Sequence, residues 1–235
     1  MKKILVLNHK MYLTYNEIEN YIRKIKDNIR SDLDVIVCPS SIFIPYFTGK
    51  YDFLLGSQNL CSKLITGEIS GKQLKSFNVK YTLIGHSERK TLMNETNKDI
   101  NDNIRESLNN NITPIVCIGE TLEQKERKKT GEVIVKELKE YFYDIDVKED
   151  IIIAYEPTWV TKSNKIPSNK YIYEAVELIK NIMLKRYNVN VKVIYGGGVN
   201  SHNIESLNKI SNIDGYLLGE LSTEPSKLLE IMNKI

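Results

Sequence analysis

Short apolar runs alternate with amphipathic stretches from one end of the chain to the other. Most of the runs are continuously apolar, whereas a strand with one face in water alternates apolar and polar residues. Continuous short runs are therefore typical of parallel strands that are covered on both faces. Eight strands are predicted: Ile4–Leu7, Val35–Cys38, Phe53–Gly56, Tyr81–Ile84, Thr113–Ile118, Ile151–Tyr155, Val191–Tyr195 and Gly215–Leu218.

Between these runs, apolar residues recur at the spacing of a helix, which predicts one buried face for each helix. One predicted helix carries its apolar positions at Ile172, Ala175, Val176, Ile179 and Met183. Two helix starts are indicated by Thr14 with Glu17 and by Thr121 with Gln124. Each pair fits the capping box, in which side chains bind the free amides of the first turn.

This order of elements predicts an α/β protein, a (β/α)8 TIM barrel of eight parallel strands with outer helices. No linker rich in glycine, serine or proline divides the chain, so we expect residues 1–235 to form one domain. The alternative is an open doubly wound sheet, which usually carries a GxGxxG turn after an early strand. The sequence has no such turn. In a barrel, catalytic residues lie at the C-terminal ends of the strands.

Charge and cysteine content narrow the class of protein. The 33 basic and 30 acidic residues are interspersed and give a net charge of +3, which argues against a nucleic-acid or membrane surface. Three cysteines without a CxxC pair, and the lack of a signal peptide or a long apolar run, favour a cytoplasmic protein with reduced thiols. His9 and His202 lack the spacing of metal ligands, and we expect both at the surface.

Four polar residues follow predicted strands. Glu156 ends a strand that should be buried, and carboxylates are rarely buried without a task or a partner. Asn8 and Lys10 follow the first strand, and His86 follows the fourth. A lone glutamate or histidine is more often structural, so the prediction of a site depends on the four occurring together. We expect an acid, an amine, an amide and an imidazole to meet on one face of the barrel.

Longer motifs around these residues resemble the triosephosphate isomerase family, in the same order along nearly the whole chain. The two most specific are Ile84-Gly85-His86-Ser87-Glu88-Arg89 and Ala154-Tyr155-Glu156-Pro157-Thr158-Trp159. Further matches are Asn8-His9-Lys10, Tyr195-Gly196-Gly197 and Cys117-Ile118-Gly119-Glu120-Thr121. The histidine and glutamate motifs, each at the end of the expected strand, make the resemblance specific.

The resemblance implies interconversion of dihydroxyacetone phosphate and glyceraldehyde 3-phosphate through an enediolate. Glu156 would be the base that moves a proton between adjacent carbons, and His86 would be a neutral electrophile that donates to the carbonyl oxygens. A glutamate base with a neutral histidine is the known arrangement in this family. Lys10 would supply positive charge and Asn8 a further hydrogen bond. The implied partner is a small phosphorylated triose, with no metal and no organic cofactor.

The resemblance also implies a phosphate-binding end and a set of supporting residues. Substrate binding would involve Lys162, Gly197, Gly198, Gly219 and Glu220. Supporting residues around the catalytic groups would be Ser87, Glu88, Glu120, Trp159 and Tyr195. In the family, the segment equivalent to residues 159–167 closes over the substrate and excludes water. We expect Trp159 to anchor the start of this segment against Glu120.

Three positions depart from the family pattern at the phosphate-binding end. Lys162 begins a Lys-Ser-Asn sequence where Gly-Thr-Gly is usual, Gly198 replaces a serine, and Glu220 replaces the second glycine of a pair. A carboxylate at Glu220 would oppose a phosphate unless it points away or pairs with Lys162. Three functions stay open: a triosephosphate isomerase, an isomerase of another short sugar phosphate such as a tetrulose phosphate, and a non-catalytic barrel that binds a phosphorylated metabolite.

The connection after the third strand bears on assembly. The resemblance implies a homodimer in which this loop inserts into the second subunit. The segment from Leu60 to Ile65 is a few residues shorter than is usual in the family. A reduced interface, another assembly and a monomer therefore all remain open.

Overall fold

Eight parallel strands form a closed barrel in a computed structural model that describes residues 2–49, 51, 53–147, 150–160 and 166–235. Each strand pairs with the next along the chain, and the eighth pairs with the first. The strands are β1 (Lys3–Asn8), β2 (Leu33–Cys38), β3 (Leu54–Ser57), β4 (Tyr81–Ile84), β5 (Thr113–Ile118), β6 (Ile152–Tyr155), β7 (Lys192–Tyr195) and β8 (Gly215–Leu218). The predicted (β/α)8 barrel is confirmed.

The strand boundaries differ from the prediction by two residues at most. The structure adds Leu33 and Asp34 to the start of β2, because both take part in the ladder with β1 although Asp34 is polar. At the closure of the barrel, Ile4 of β1 pairs with Gly215 of β8. A methyl group added at Gly215 would overlap the Ile4 carbonyl oxygen, so the absence of a side chain permits this close pairing.

Alternation along each strand divides the apolar residues between two layers. Along β1, Ile4 and Val6 belong to the layer inside the barrel, whereas Leu5 and Leu7 belong to the layer beneath the helices. Both layers exclude water, and this is why the strands read as continuously apolar.

Helices follow the strands and cover the barrel. They are α1 (Tyr15–Ile25), α2 (Ile44–Phe47), α3 (Gly71–Ser76), α4 (Ser87–Leu92), α5 (Asn97–Asn109), α6 (Leu122–Glu126), α7 (Thr130–Tyr141), α8 (Asn169–Tyr187), α9 (Ile204–Leu207) and α10 (Pro225–Lys234). Both predicted capping boxes are present. The five apolar positions predicted for α8 are buried. Within the described ranges, every helix is too short or too polar to cross a bilayer.

The prediction that His9 lies at the surface is wrong. Its side chain is 1% exposed and packs edge-on against the Tyr21 ring, with the ring centroids 4.7 Å apart. The reason is that β1 continues its path past Asn8, and the His9 N–H donates to the Cys38 carbonyl at the end of β2. His202 is exposed, as predicted.

Candidate active site

A cavity of about 550 Å³ opens at the C-terminal ends of the strands. Lys10 lies in its wall after β1, His86 after β4 and Glu156 after β6. Parallel strands in a closed barrel all end on the same face, so residues far apart in sequence meet there. The structure thus places three of the four predicted catalytic side chains around one cavity.

The carboxylate of Glu156 faces the imidazole of His86. Glu156 Oε2 lies 3.9 Å from His86 Nε2. Glu156 is only 7% exposed. Burial raises the pKa of the Glu156 carboxyl above its usual value, and the positive charges of neighbouring groups, including Lys90 and Lys10, offset part of this rise.

His86 is oriented by the start of α4. Its Nδ1 atom accepts a hydrogen bond of 3.3 Å from the backbone N–H of Glu88. An atom that accepts a hydrogen bond carries a lone pair, so the neutral ring bears its proton on Nε2. The N–H group of His86 therefore points toward Glu156 and the cavity.

Lys10 is held at both its backbone and its ammonium group. Its N–H donates to Asn8 Oδ1 at 3.1 Å, and its carbonyl accepts from Gln58 Nε2 at 2.7 Å. The Lys10 ammonium lies 2.6 Å from Glu88 Oε1. Asn8 lies in the wall of a second cavity, of about 400 Å³, which Lys10, His86 and Glu88 also line. Asn8 thus supports the conformation of Lys10 and, unlike Lys10, does not line the cavity that contains Glu156.

Close packing against two glycines fixes the backbone and carboxylate of Glu156. The Glu156 N–H donates to the Ile118 carbonyl at 2.8 Å. A methyl group added at Gly119 would overlap the Glu156 carbonyl oxygen, and one at Gly196 would lie 2.8 Å from Glu156 Cγ. Both glycines belong to the sequence motifs, but a glycine has no side-chain chemistry from which this role could be predicted.

A buried carboxylate lies beneath the site. Glu120 is completely buried and accepts hydrogen bonds from Trp159 Nε1 at 2.8 Å and from the Tyr155 hydroxyl at 3.1 Å. The contact expected between Trp159 and Glu120 is present. Tyr171 also donates to Glu120, at 2.8 Å, and the sequence analysis missed this residue because it lies 51 positions away.

Comparison with known proteins agrees with this geometry. Residues 3–235 match the family profile described as Triosephosphate isomerase. The chain belongs to the triosephosphate isomerase family. It is 35% identical to the triosephosphate isomerase of Mycoplasmopsis pulmonis (strain UAB CTIP), over 99% of this chain and 98% of that protein. It is 34% identical to that of Dictyoglomus thermophilum (strain ATCC 35947 / DSM 3960 / H-6-12), over 98% of each chain.

Membership of the triosephosphate isomerase family makes the chain an isomerase, and glycolysis is the pathway to which the family belongs. The family acts on triose phosphates and is generally dimeric. Among the residues that the structure describes, no three histidine, cysteine or acidic side chains are grouped so as to hold a metal ion.

Gly198, Gly219 and Glu220, which the resemblance assigns to substrate binding, line the same cavity as Glu156 and His86. Glu220 is exposed and begins a 3-10 turn (Glu220–Thr223). Gly197 packs against the Tyr195 hydroxyl, which has no hydrogen-bond partner among the described residues. Lys162 lies outside the described residues.

The remaining predicted residues flank the catalytic groups. Ser87 and Glu88 line the larger cavity beside His86. Trp159 and Tyr195 are buried behind it. Cys117, the first residue of one of the motifs that resemble the family, contacts Glu156 from inside the barrel and has a pKa raised by its own burial. The thiol is therefore a neutral neighbour of the Glu156 carboxylate.

Proposed function

We propose that this isomerase interconverts dihydroxyacetone phosphate and D-glyceraldehyde 3-phosphate through an enediolate. The observation that carries the proposal is the 3.9 Å separation of Glu156 Oε2 and His86 Nε2 in the wall of one cavity. A base and a hydrogen-bond donor at this separation are able to contact neighbouring atoms of a three-carbon substrate. If the two groups lay on opposite rims of the barrel or farther apart, they could not contact the same three-carbon molecule.

Glu156 is the base in this mechanism. Its carboxylate takes a proton from the carbon beside the carbonyl group and returns it to the adjacent carbon. The raised pKa of Glu156, caused by its burial, makes the carboxylate a stronger base than one in water. The close contacts with Gly119 and Gly196 restrict the directions in which the carboxylate is able to move.

His86 stabilises the charge that develops on oxygen. Its Nε2–H donates to the carbonyl oxygen of the substrate, which becomes negative as the carbon loses its proton. The hydrogen bond from the Glu88 N–H to Nδ1 keeps the ring in the required tautomer and orientation. The donor is thus in place before the charge forms.

Lys10 supplies positive charge near the enediolate and the phosphate. Its contact with Glu88 Oε1 fixes the position of the ammonium group. Asn8 binds the Lys10 N–H through its side-chain oxygen and does not line the cavity that contains Glu156, so we assign it the role of holding Lys10 in place. Both residues act as fixed groups that need no rearrangement during proton transfer.

Replacing Glu156 with aspartate tests the assignment of the base. Glu156→Asp withdraws the carboxylate by about 1 Å, and a displacement of this size lowers kcat by about 100-fold. Turnover is measured in both directions with coupled assays that use dihydroxyacetone phosphate and glyceraldehyde 3-phosphate. The control is Glu123→Asp, an exposed residue of α6 paired with Arg127, which should keep full activity. Equal kcat values for Glu156→Asp and the unchanged protein would contradict the proposal.

The carboxylate of Glu220 is the reason to compare a four-carbon sugar phosphate with the triose phosphates. Glu220 lines the cavity together with two other acidic residues, Glu88 and Glu156. Among the described residues of this cavity, Lys10 is the one lysine or arginine. Erythrulose phosphates are therefore assayed beside the trioses. A higher kcat/KM with a four-carbon substrate would replace triose phosphate with a tetrulose phosphate and leave the roles of Glu156 and His86 intact.

We further propose that two copies associate through the face that contains the second cavity. Large apolar side chains are exposed there: Met11, Leu92 and Met93 at the cavity, and Leu64 and Ile65 in the nearby loop. Exposed large apolar side chains around one cavity are a feature of surfaces that bind other proteins. Sedimentation velocity should show a species of twice the chain mass, and Leu64→Glu should shift it toward the single chain. A single-chain species at every protein concentration would contradict the assembly.

A further inference from the structure

One oxygen of Glu120 binds both ends of the chain segment that follows the catalytic base. Oε1 accepts from Trp159 Nε1 and from the Tyr171 hydroxyl, each at 2.8 Å. Trp159 lies three residues after Glu156, and Tyr171 lies in the first turn of α8. The connection between Trp159 and Tyr171 thus begins and ends at a single buried carboxylate.

The tryptophan is fixed from three sides. Its indole N–H is bound by Glu120, its ring meets the Tyr171 ring edge-on at 6.4 Å, and the Lys125 ammonium lies 3.6 Å from its centroid. An ammonium group over an indole face is an attractive contact. Tyr171 therefore contacts Trp159 directly and also shares its hydrogen-bond acceptor.

The same carboxylate reaches the other side of Glu156. Tyr155, the residue before Glu156, donates its hydroxyl to Glu120 Oε2 at 3.1 Å. The Thr158 N–H donates to the Glu120 carbonyl at 3.0 Å. Residues before and after Glu156 are thus bound to Glu120, so a rotation of the Glu120 side chain would be transmitted to the base.

Tyr171 is itself rigidly held. Its N–H donates to Ser168 Oγ at 3.2 Å, and its hydroxyl oxygen lies 2.7 Å from Thr130 Oγ1 at the start of α7. Because the Tyr171 hydroxyl hydrogen points to Glu120, Thr130 is the donor in this contact. The chain of hydrogen bonds runs from Thr130 to Tyr171 to Glu120 and gives the Tyr171 hydroxyl one orientation.

We propose that Tyr171 is a positioning residue for the catalytic base, acting through Glu120 and Trp159. It does not line the cavity, so it has no contact with substrate. Its hydroxyl restrains one oxygen of Glu120, and this restraint fixes the peptide from Tyr155 to Trp159. The inference rests on the proposed role of Glu156 and adds a distant helix to the groups that determine its position.

Tyr171→Phe removes the hydroxyl and keeps the ring. We expect kcat for the triose phosphates to fall about tenfold, with KM within about twofold, because the base is misplaced while the cavity is intact. Trp159 is the single tryptophan of the chain, so its fluorescence reports the contact directly, and its emission should change. The matched control is Tyr173→Phe on the same helix, where the side chain is 42% exposed, and it should change neither quantity.

A double-mutant cycle separates positioning from general stability. If Tyr171 acts through Trp159, the effect of Tyr171→Phe should be small in a protein that already carries Trp159→Phe. The kcat of the double variant should then be less than about twofold below that of Trp159→Phe alone. If Tyr171→Phe does not fold at the assay temperature, Thr130→Val replaces it. That variant removes the donor behind the Tyr171 hydroxyl, and kcat should fall about threefold.

Three results would overturn the inference: kcat of a folded Tyr171→Phe within twofold of the unchanged protein, additive losses in the cycle, or full kcat in Thr130→Val where that variant is used. Failure of the unchanged protein to convert triose phosphates would instead count against the proposed function. In that case the emission of Trp159 in Tyr171→Phe still tests the contact.

Discussion

At the scale of single residues, the site keeps Lys10 in an unusual conformation. Its φ of +48° lies in the left-handed region, which residues with a side chain seldom adopt. The Asn8 side chain and the Gln58 amide bind the N–H and the carbonyl of Lys10, and these contacts hold the conformation. Backbone strain of this kind is found where a side chain must be aimed at a ligand. Here it directs the ammonium group of Lys10 toward the catalytic cavity.

Glu220 is the residue whose charge most clearly opposes the proposed substrate. Glu220→Gly should lower KM for dihydroxyacetone phosphate about three- to tenfold, since it removes a negative charge and a side chain from the phosphate end. Steady-state kinetics at low salt measure the effect. Glu220→Gln is the matched control for charge, because it keeps the size of the side chain. An unchanged KM in both variants would show that the Glu220 side chain points away from the substrate.

At the scale of elements, the end of β5 supports the end of β6. The Ile118 and Glu120 carbonyls bind the N–H groups of Glu156 and Thr158, and Gly119 between them allows the two backbones to approach closely. Glu156, the proposed base, is therefore positioned by a neighbouring strand as well as by its own. Sites supported by strands are held more precisely than sites carried by loops alone.

Gly119→Ala tests how much this approach matters. The added methyl group overlaps the Glu156 carbonyl oxygen, so the variant should lose at least about 2 kcal/mol in free energy of unfolding, together with most of its activity. Urea denaturation and the coupled assay measure the two effects. The control is Gly131→Ala in α7, where the new Cβ meets only Leu178 at 3.6 Å. That change should stabilise the protein by about 0.5–1 kcal/mol. Equal effects of the two substitutions would disprove the argument.

At the scale of the whole molecule, closure of the barrel brings the two ends of the chain together around the cavity. β8 pairs with β1, so the two ends of the chain complete the same ring. This closure places Glu220 beside Lys10 at one cavity. Packing against α1 and the end of β2 buries His9, whose two ring nitrogens have no hydrogen-bond partner among the described residues. The Tyr21 hydroxyl, which belongs to the ring packed against His9, is likewise unpartnered.

His9 should make the stability of the molecule depend on pH. Burial lowers its pKa from 6.5 to about 3, so the folded protein keeps the ring neutral while the unfolded chain takes up a proton. Stability is therefore lost as pH falls from about 6.5 toward 3, and the loss from this group at pH 5 is about 2 kcal/mol. His9→Phe should abolish that part of the decline.

The measurement is the free energy of unfolding from urea titrations at pH 7.5 and pH 5. His202→Gln serves as the control, because His202 is exposed and its removal should leave the decline unchanged. The same decline in His9→Phe and in the unchanged protein would show that the buried imidazole does not cause it.

The sequence by itself determined the barrel and the polar groups that lie at the ends of its strands. Continuous apolar runs and helical spacing are local patterns, and each requires burial on particular faces. For that reason the eight strands were predicted to within two residues. Glu156 follows β6 directly, and His86 and Lys10 lie two residues after the ends of β4 and β1. The ends of parallel strands meet on one face, so these three residues could be predicted to lie together.

The tertiary structure alone decided the contacts that adjust the site. Tyr171 reaches Glu120 across 51 residues, and no local pattern reveals such a contact. His9 reads as a polar residue after a strand, yet its burial depends on α1 and on the end of β2. Local spacing specifies which face of an element avoids water, whereas the partner that covers that face is selected only when the ring of strands closes.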